Sequence, residues 1–263
     1  MRSEYSVTVF TRRLKVLAPR SIIAHKYSHG VVGVIAGSEK YPGAALLCAG
    51  GARRGGAGYI NYLELESRPS KLLLATYPDV VHISNPSESK ANAWVIGAGA
   101  PSLPKKFLLP ASKFLILDAD ALNLVDQSKA EFTVITPHEG EFAQMGYPIS
   151  KPEERISQAL KASKDLQVFV LLKGPSTVIA SPDGACLVES SGGPELAVAG
   201  TGDVLAGFIA SMLASWNPDT SKNVVQVLQK SVRAHSLAAK RSTRHRNPMT
   251  ATDLLNELPL VIR

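Results

Sequence analysis

The segment Gly200-Thr201-Gly202-Asp203 places two glycines, a hydroxyl and a carboxylate directly before an apolar stretch. Apolar side chains between Val204 and Trp216 recur at helical spacing, so we expect the segment to begin a largely buried helix. Glycines let backbone N–H groups approach a ligand, and a helix N-terminus adds a positive partial charge. The backbone of Gly200, Thr201 and Gly202 therefore predicts an anion hole for a phosphoryl group or an oxyanion.

The carboxylate of Asp203 has two interpretations. Beside an anion hole it would act as a general base and remove the proton from a bound hydroxyl. At the start of a helix it would instead cap the free backbone N–H groups. The residue types alone favour neither interpretation.

A second polar segment, Lys173-Gly174-Pro175-Ser176-Thr177, follows another apolar run. A lysine at a strand end, followed by a glycine turn and two hydroxyls, can hold the phosphates or the ribose of a nucleotide. The pattern GxxxxGK[ST] occurs nowhere in the chain, which excludes a Walker A loop. Turn residues at 181–184 also predict a hairpin between 178–180 and 186–188, and that hairpin is compatible with a nucleotide loop beside it.

Three further polar or glycine-rich segments follow apolar runs. Gly97-Ala98-Gly99-Ala100-Pro101-Ser102 lacks the third glycine of a dinucleotide fingerprint, which disfavours a Rossmann dehydrogenase but leaves a ligand contact at Gly99 open. Asp118, Asp120 and Asn123 could bind magnesium or ribose, although for Asp120 a helix cap is favoured. His138 and Glu141 follow a strand and Pro137 suits a helix start, so their position favours a functional role for His138. His235, inside a predicted helix, is expected to be structural.

The elements that must position these residues follow from hydrophobic patterning. Apolar runs without polar alternation are typical of strands buried on both faces of a parallel sheet. Strands are predicted at 31–36, 93–97, 114–118, 132–136, 168–173 and 177–180, and helices at 41–53, 119–127, 152–166, 202–215, 222–241 and 251–257. This alternation predicts an α/β fold with a doubly wound, mostly parallel central sheet flanked by helices, in a single domain of residues 1–263.

Gly37-Ser38 after the strand at 31–36 is a fifth polar segment that follows a strand. Because ligands of such sheets bind beyond the carboxyl ends of the strands, these five segments predict one shared crevice. A net charge of +7 suits an anionic small molecule. Nucleic acid is not expected as a partner, since no basic stretch is interleaved with aromatic residues.

The two cysteines, Cys48 and Cys186, lie too far apart for a CxxC metal site and fit a reducing cytosol. The apolar stretch 7–10 is too short for a signal peptide, so we expect a cytoplasmic protein without a membrane partner.

The ordered set of motifs resembles that of the NAD(P)H-hydrate dehydratases, nucleotide-dependent repair enzymes of the ribokinase-like superfamily. The matching motifs are HGVVGVIAGS at 29–38 with YPGAA at 41–45, DADALN at 118–123, TPHEGE at 136–141, LKG at 172–174 and GTGDVLAG at 200–207. GTGD alone is shared by many ribokinase-like kinases, but the ordered set is specific and extends from about Leu14 onward. The companion epimerase domain of the family is expected to be absent, because few residues precede His29.

The resemblance implies a substrate, the S-form of hydrated NADH or NADPH (NAD(P)HX), and ADP, or alternatively ATP, as phosphate donor. It implies phosphorylation of the ring hydroxyl, release of AMP and loss of phosphate to restore NAD(P)H. By motif position, Asp203 would deprotonate the hydroxyl while the amides of the anion hole hold the phosphoryl group. The substrate contacts would be Ala44, Gly99, His138 and Asp203, and the nucleotide contacts Lys173, Gly174, Pro175, Ser176, Thr177 and Gly202. Mg²⁺ would accompany the nucleotide without a metal site built from protein side chains.

The resemblance also implies a homo-oligomer, a tetramer, and functional pairing with a separate NAD(P)HX epimerase. The chain departs from the family at Gly97-Ala98-Gly99-Ala100-Pro101, where GPGLG is common, and at Ala197-Val198-Ala199, where a Thr-Gly pair is frequent.

The alternative enzyme is a ribokinase-like kinase that phosphorylates a vitamin-precursor alcohol and leaves the phosphate on its product. A nucleotide-binding module without catalysis is disfavoured by the intact Asp203.

Overall fold

The computed structural model describes residues 14–19, 21–244 and 247–263, so the apolar stretch 7–10 lies outside the described residues. The described residues form a sheet of nine strands in the order β3-β2-β1-β4-β5-β6-β7-β8-β9. The strands are β1 Val31–Ile35, β2 Tyr59–Leu63, β3 Val81–Ile83, β4 Ala93–Ile96, β5 Phe114–Leu117, β6 Phe132–Ile135, β7 Phe169–Leu172, β8 Thr177–Ala180 and β9 Cys186–Glu189.

The sheet is parallel from β3 to β7 and antiparallel where β8 and β9 join its edge. Trp94 lies opposite Leu115 in the central register, and both side chains are almost completely buried. The strand order reverses direction between β1 and β4, which confirms the predicted doubly wound, mostly parallel sheet. Pairing of Val178 with Val188 confirms the predicted hairpin.

Helices cover both faces of the sheet. They are α1 Pro42–Ala52, α2 Ser67–Thr76, α3 Glu139–Gln144, α4 Glu154–Leu166, α5 Thr201–Trp216, α6 Ser221–Thr243 and α7 Ala251–Val261. One core packs the sheet against α1, α5, α6 and α7, and a second core packs the other face against α3, α4 and the segment Ala119–Gln127. Ala119–Gln127 has the predicted bounds but is a 3-10 helix, with Ala121 N donating to the Asp118 carbonyl.

Three elements near one edge of the sheet were not predicted: β2, α2 and β3. The pattern of β2 is interrupted by Asn61, which is buried yet satisfied, because its amide donates to the Val81 carbonyl and accepts from the Ser89 hydroxyl. β3 has only three residues, too few for a recognisable apolar run. β2 pairs with β1 and β3 pairs with β2, so these strands form through contacts with other strands and carry little local signal.

Helices α1 and α5 approach each other unusually closely. A Cβ atom on Gly207 would overlap the Cys48 carbonyl oxygen, and one on Gly51 would overlap the Val204 carbonyl oxygen. Glycine is therefore required at both positions for the two backbones to touch. This contact fixes the direction of α5, and hence the place where its N-terminus meets the edge of the sheet.

Candidate active site

A cleft of about 860 Å³ opens at the carboxyl ends of β5, β6 and β7. Asp118, His138 and Lys173, which follow these strands, line it together with the segment that leads into α5 and residues of α6. Three of the five predicted strand-end segments therefore share one crevice. We conclude that the chemistry-bearing residues converge here because parallel strands place their carboxyl ends at one edge.

The segments after β1 and β4 do not line this cleft, so the prediction of a single crevice from all five strand ends is wrong. They lie side by side instead, with Gly37 N donating to the Ala98 carbonyl at 2.8 Å. Gly99 has a left-handed backbone (φ 57°), and a Cβ atom there would overlap Ala44. The two predicted substrate contacts Ala44 and Gly99 thus adjoin each other at the point where the strand order reverses.

The N-terminus of α5 leaves several backbone donors free. Gly200 is its N-cap, in a left-handed conformation (φ 91°), and a Cβ atom there would also overlap Leu47. Thr201 N donates to the Val198 carbonyl at 3.3 Å, so one of the three predicted anion-hole amides already has a partner. Among the described residues, the backbone amides of Gly200, Gly202 and Asp203 have no protein hydrogen-bond acceptor. Together they indicate a candidate anion site.

The hydroxyl of Thr201 forms its hydrogen bonds within the loop that precedes α5. It donates to the carbonyls of Leu196 and Val198, each at 2.9 Å. The Thr201 carbonyl in turn accepts from Nε2 of His235 at 2.9 Å, which fixes the proton of that imidazole on Nε2. Burial lowers the pKa of His235 to about 4, so the ring stays neutral and the predicted structural role of His235 agrees with its contacts.

Asp203 is the third residue of α5, and the N-cap is Gly200, so the N-cap interpretation of Asp203 is wrong. Its carboxylate lines the cleft and is mostly buried. Burial and the negative charge of Asp118 raise the pKa of Asp203 to about 7, while Lys173 opposes the shift. A carboxylate with this pKa, next to free backbone amides, is suited to accept a proton near neutral pH.

Lys173 brings a positive charge to the same place. Its Nζ lies 2.8 Å from Oδ1 of Asp118, and the Thr136 hydroxyl donates to that oxygen at 2.7 Å. Burial alone would lower the pKa of Lys173, but Asp118 and Glu141 outweigh it and the pKa is raised. The ammonium therefore stays charged, close to Gly202 at the start of α5.

Asp118 is a candidate functional residue whose role the sequence left undecided. It is buried, with a relative exposure of 2%, and it is the N-cap of the 3-10 helix without a side-chain cap bond. The expectation that Asp120 caps this helix is wrong, because Asp118 occupies the N-cap position. Ala119 follows with a positive φ of 46°, a conformation that costs energy outside glycine and turns the chain directly after Asp118.

His138 is the N-cap of α3, which begins at Glu139 rather than at Pro137. Its Nδ1 accepts from the amides of Gly140 and Glu141, and Glu141 accepts from the His138 amide, forming a capping box. Since Nδ1 is the acceptor, the neutral ring carries its proton on Nε2. The imidazole is 61% exposed and lines the cleft, and its Nε2 lies 3.5 Å from Oε1 of Glu141.

The predicted nucleotide segment divides between two depressions. Lys173, Gly174, Pro175 and Thr177 line the cleft, whereas Ser176 lines an adjoining depression of about 450 Å³, to which Pro175 also contributes. The Ser176 hydroxyl accepts from the Ser190 hydroxyl at 3.0 Å. Ser176 is therefore the one predicted nucleotide residue that the structure does not place in the cleft.

The described parts of the chain lack two features. No group of three or more His, Cys, Asp or Glu side chains there is arranged to hold a metal ion. No helix among those residues is both long and apolar enough to cross a membrane.

The sheet topology and the anion site at the start of a buried helix define a ribokinase-like fold, as predicted. The crystal structure of the ADP/ATP-dependent NAD(P)H-hydrate dehydratase from Bacillus subtilis, co-crystallised with ATP and Mg²⁺, superposes with a TM-score of 0.81. It is 30% identical in sequence, and the match covers 95% of this chain and 93% of that one.

Sequence comparison then identifies the family within this fold class. Residues 32–260 match the NAD(P)H-hydrate dehydratase family. The ADP-dependent (S)-NAD(P)H-hydrate dehydratase of Bacillus subtilis is 35% identical over 224 residues, 75% of this chain and 77% of that protein. The bifunctional NAD(P)H-hydrate repair enzyme of Mycobacterium tuberculosis is 35% identical over 227 residues, 81% of this chain but only 46% of its own length. The chain belongs to the NAD(P)H-hydrate dehydratase family, which the ordered motifs predicted.

Proposed function

We propose that this protein dehydrates the S-form of hydrated NADH and NADPH in a reaction that consumes ADP and yields NAD(P)H, AMP and phosphate. One observation carries the proposal: the carboxylate of Asp203, with a pKa of about 7, adjoins free amides and the ammonium of Lys173. The name of the Bacillus subtilis relative, an ADP-dependent (S)-NAD(P)H-hydrate dehydratase, supports the same substrate pair.

In the proposed reaction Asp203 takes the proton from the ring hydroxyl of the hydrated dinucleotide. The hydroxyl oxygen forms a bond to the β-phosphorus of ADP, and the bond from that phosphorus to the bridging oxygen breaks to release AMP. The amides of Gly202 and Asp203 stabilise the charge on the phosphoryl oxygens during transfer. The ring nitrogen then expels phosphate as the carbon–oxygen bond breaks, and loss of a proton from the neighbouring ring carbon restores the dihydronicotinamide.

The nucleotide would lie in the cleft, and the hydrated dinucleotide would extend from it. Ala44 and Gly99, which adjoin each other, would contact the hydrated dinucleotide. His138 would donate to the same ligand from Nε2. The nucleotide would lie along Lys173, Gly174, Pro175 and Thr177 and reach Gly202, with Ser176 contributing from the adjoining depression.

Mg²⁺ fits this arrangement as a companion of the nucleotide. Magnesium in nucleotide sites is commonly held by phosphate oxygens, water and one or two carboxylates. Glu141 and Asp118 are the cleft carboxylates that stand next to Lys173 and would supply that contact. When bound, the ion would neutralise phosphate charge that Lys173 alone leaves uncompensated.

The deciding assay incubates the purified chain with hydrated NADH, ADP and Mg²⁺, and follows the absorbance of restored NADH while AMP and phosphate are quantified. We expect one AMP and one phosphate per NADH restored. A product that keeps its phosphate would favour the alternative kinase, and binding of ADP without turnover would favour a binding module. Parallel reactions with ATP and with hydrated NADPH settle both preferences.

The remaining expectations are also proposals. We infer a single domain, a cytoplasmic location and a tetramer, and light scattering of the purified chain tests the tetramer. Functional pairing with an epimerase finds support in the bifunctional repair enzyme to which the chain is similar. Faster turnover of a mixed R and S substrate after adding an epimerase is the expected result.

A further inference from the structure

Arg155 of α4 is the side chain that holds the loop between β7 and β8. Its Nη2 donates to the carbonyls of Leu172 and Lys173, both at 3.3 Å, and to that of Ser176 at 3.0 Å. The side chain is only 11% exposed. One planar, permanently charged group thus holds the carbonyl at the end of β7 and two carbonyls of the 173–176 turn, which limits the conformations that the turn can adopt.

Gly174 provides an independent sign of this arrangement. A Cβ atom at this position would lie 2.5 Å from Nη2 and 2.8 Å from Nη1 of Arg155. The backbone of Gly174 does not have a positive φ, so its conformation alone does not demand glycine. A side chain at this position would instead displace the guanidinium, because the end of the Arg155 side chain occupies that space.

The same guanidinium also reaches the other ligand segment. Nη1 of Arg155 forms an ion pair with Glu139, the first residue of α3 and the neighbour of His138. One buried cation therefore links the turn that carries Lys173 to the helix start that carries His138. Arg155 itself lines the adjoining depression rather than the cleft, so it stands behind the residues expected to touch ligand.

We propose that Arg155 is a positioning residue for the adenine nucleotide: it fixes the 173–176 turn in its binding conformation before the ligand arrives. The inference rests on the proposed function, because that turn is the proposed nucleotide contact. A turn held in advance binds its ligand more tightly, since less conformational entropy is lost on binding. Asp203 lies on α5 without a contact to Arg155, so the chemical step should change little once both substrates are bound.

The first test compares Arg155→Met with Lys164→Met, a control on the same helix with the same loss of charge at an exposed position. For Arg155→Met we expect the KM for ADP and its calorimetric Kd to rise about tenfold or more, with kcat within about threefold of the wild type. The control should match the wild type. An unchanged KM for ADP, or a fall in kcat alone, would overturn the proposal.

A conservative variant separates geometry from charge. Arg155→Lys keeps the charge and the aliphatic stem, which preserves the fold, but lacks the planar fork that reaches three carbonyls. We expect its Kd for ADP to stay weakened by about tenfold, close to the value of Arg155→Met. Full recovery of ADP affinity with lysine would show that only charge matters and would contradict the positioning role.

The second test uses the contact with Gly174. Gly174→Ala should weaken ADP binding in the wild-type background, because the new methyl group displaces the guanidinium. In an Arg155→Ala background the same change should have little further effect, since the space is vacant. If the effects of the two substitutions on ADP affinity are additive, the proposal is wrong. Both ADP affinities are measured without turnover, so a chain that binds ADP but lacks dehydratase activity would refute the proposed function while leaving this inference intact.

Discussion

The ammonium nitrogen of Lys173 lies 2.8 Å from the buried carboxylate of Asp118, and both charges act on Asp203 in the same cleft. Fifty-five residues of sequence separate the pair. Asp118 keeps Lys173 charged and at the same time raises the pKa of Asp203, so it influences both the cation and the base. The pair therefore makes the activity sensitive to a residue that need not touch substrate.

The pH dependence of activity should report this pair. Asp203 must be deprotonated to act as a base, so kcat/KM should rise with pH and level off above about 7. In Asp118→Asn a negative neighbour is lost and Lys173 is left to favour the anion, which lowers the pKa of Asp203. We expect the acid limb of the kcat/KM profile to move down by about one pH unit. An unchanged limb, with Asp165→Asn as an exposed control, would contradict this coupling.

Replacement of the base should separate chemistry from binding. Asp203→Asn keeps the size and the position of the side chain but cannot accept the hydroxyl proton. We expect kcat to fall by about a thousandfold, with the Kd for ADP within about threefold of the wild type. Stopped assays for AMP and calorimetry with ADP measure the two quantities. Turnover like that of the wild type would remove Asp203 from its role.

The raised pKa of Asp203 also predicts a pH-dependent cost in stability. Between the ordinary pKa of 3.8 and the folded value of about 7, the folded state holds a proton that the unfolded chain has released. This contribution to stability therefore declines as pH rises through that window, and the full penalty is present above about pH 7. Asp203→Asn lacks the penalty, so its free energy of unfolding should exceed that of the wild type at pH 8 and converge with it near pH 4 in urea titrations. A gap that is equal at both pH values would refute the assignment.

The close contact of α1 and α5 can be tested with two glycines. Gly207→Ala would place a methyl group against the Cys48 carbonyl, so we expect the free energy of unfolding to fall by about 1–3 kcal/mol through overpacking. Gly43 in α1 is the matched control, because a Cβ atom there meets nothing within 4 Å. Gly43→Ala should be neutral or stabilising by about 0.5–1 kcal/mol, owing to the helix propensity of alanine. Equal effects in denaturant titrations would show that helix contact is not the cause.

Much of the fold could be predicted because buried parallel strands leave a strong local signal. Each of the six predicted strands agrees with the structure to within one residue at either end. The elements that were missed, β2, α2 and β3, lie toward an edge, and the two strands among them depend on pairing with other strands. The helix at 119–127 had the right bounds but the wrong type, because its start at Ala119 adopts a left-handed backbone that no apolar pattern encodes.

The parts of the candidate site that lie in contiguous residues could be predicted from the sequence. The parts that depend on tertiary contacts could not. The run from Gly200 to Asp203 combines glycines, a carboxylate and a helix start in four consecutive residues, so its chemistry is visible in the sequence. Arg155 has no such signal: it is one of three basic residues in an amphipathic helix, and its three carbonyl partners lie outside that helix. Only the packing of α4 beside the β7–β8 turn gives that arginine a role.

Contiguous residues were enough to predict the class of sheet and the family and to locate a candidate anion site, because apolar runs and motif order are properties of adjacent residues. Which strand ends share a cleft depends on strand order, and therefore on the tertiary structure. The segments that follow β5, β6 and β7 line one cleft, while those that follow β1 and β4 lie side by side and do not line it. The tertiary structure also decided that Asp203 titrates near neutral pH, because burial and the charge of Asp118 act through space between residues far apart in the chain.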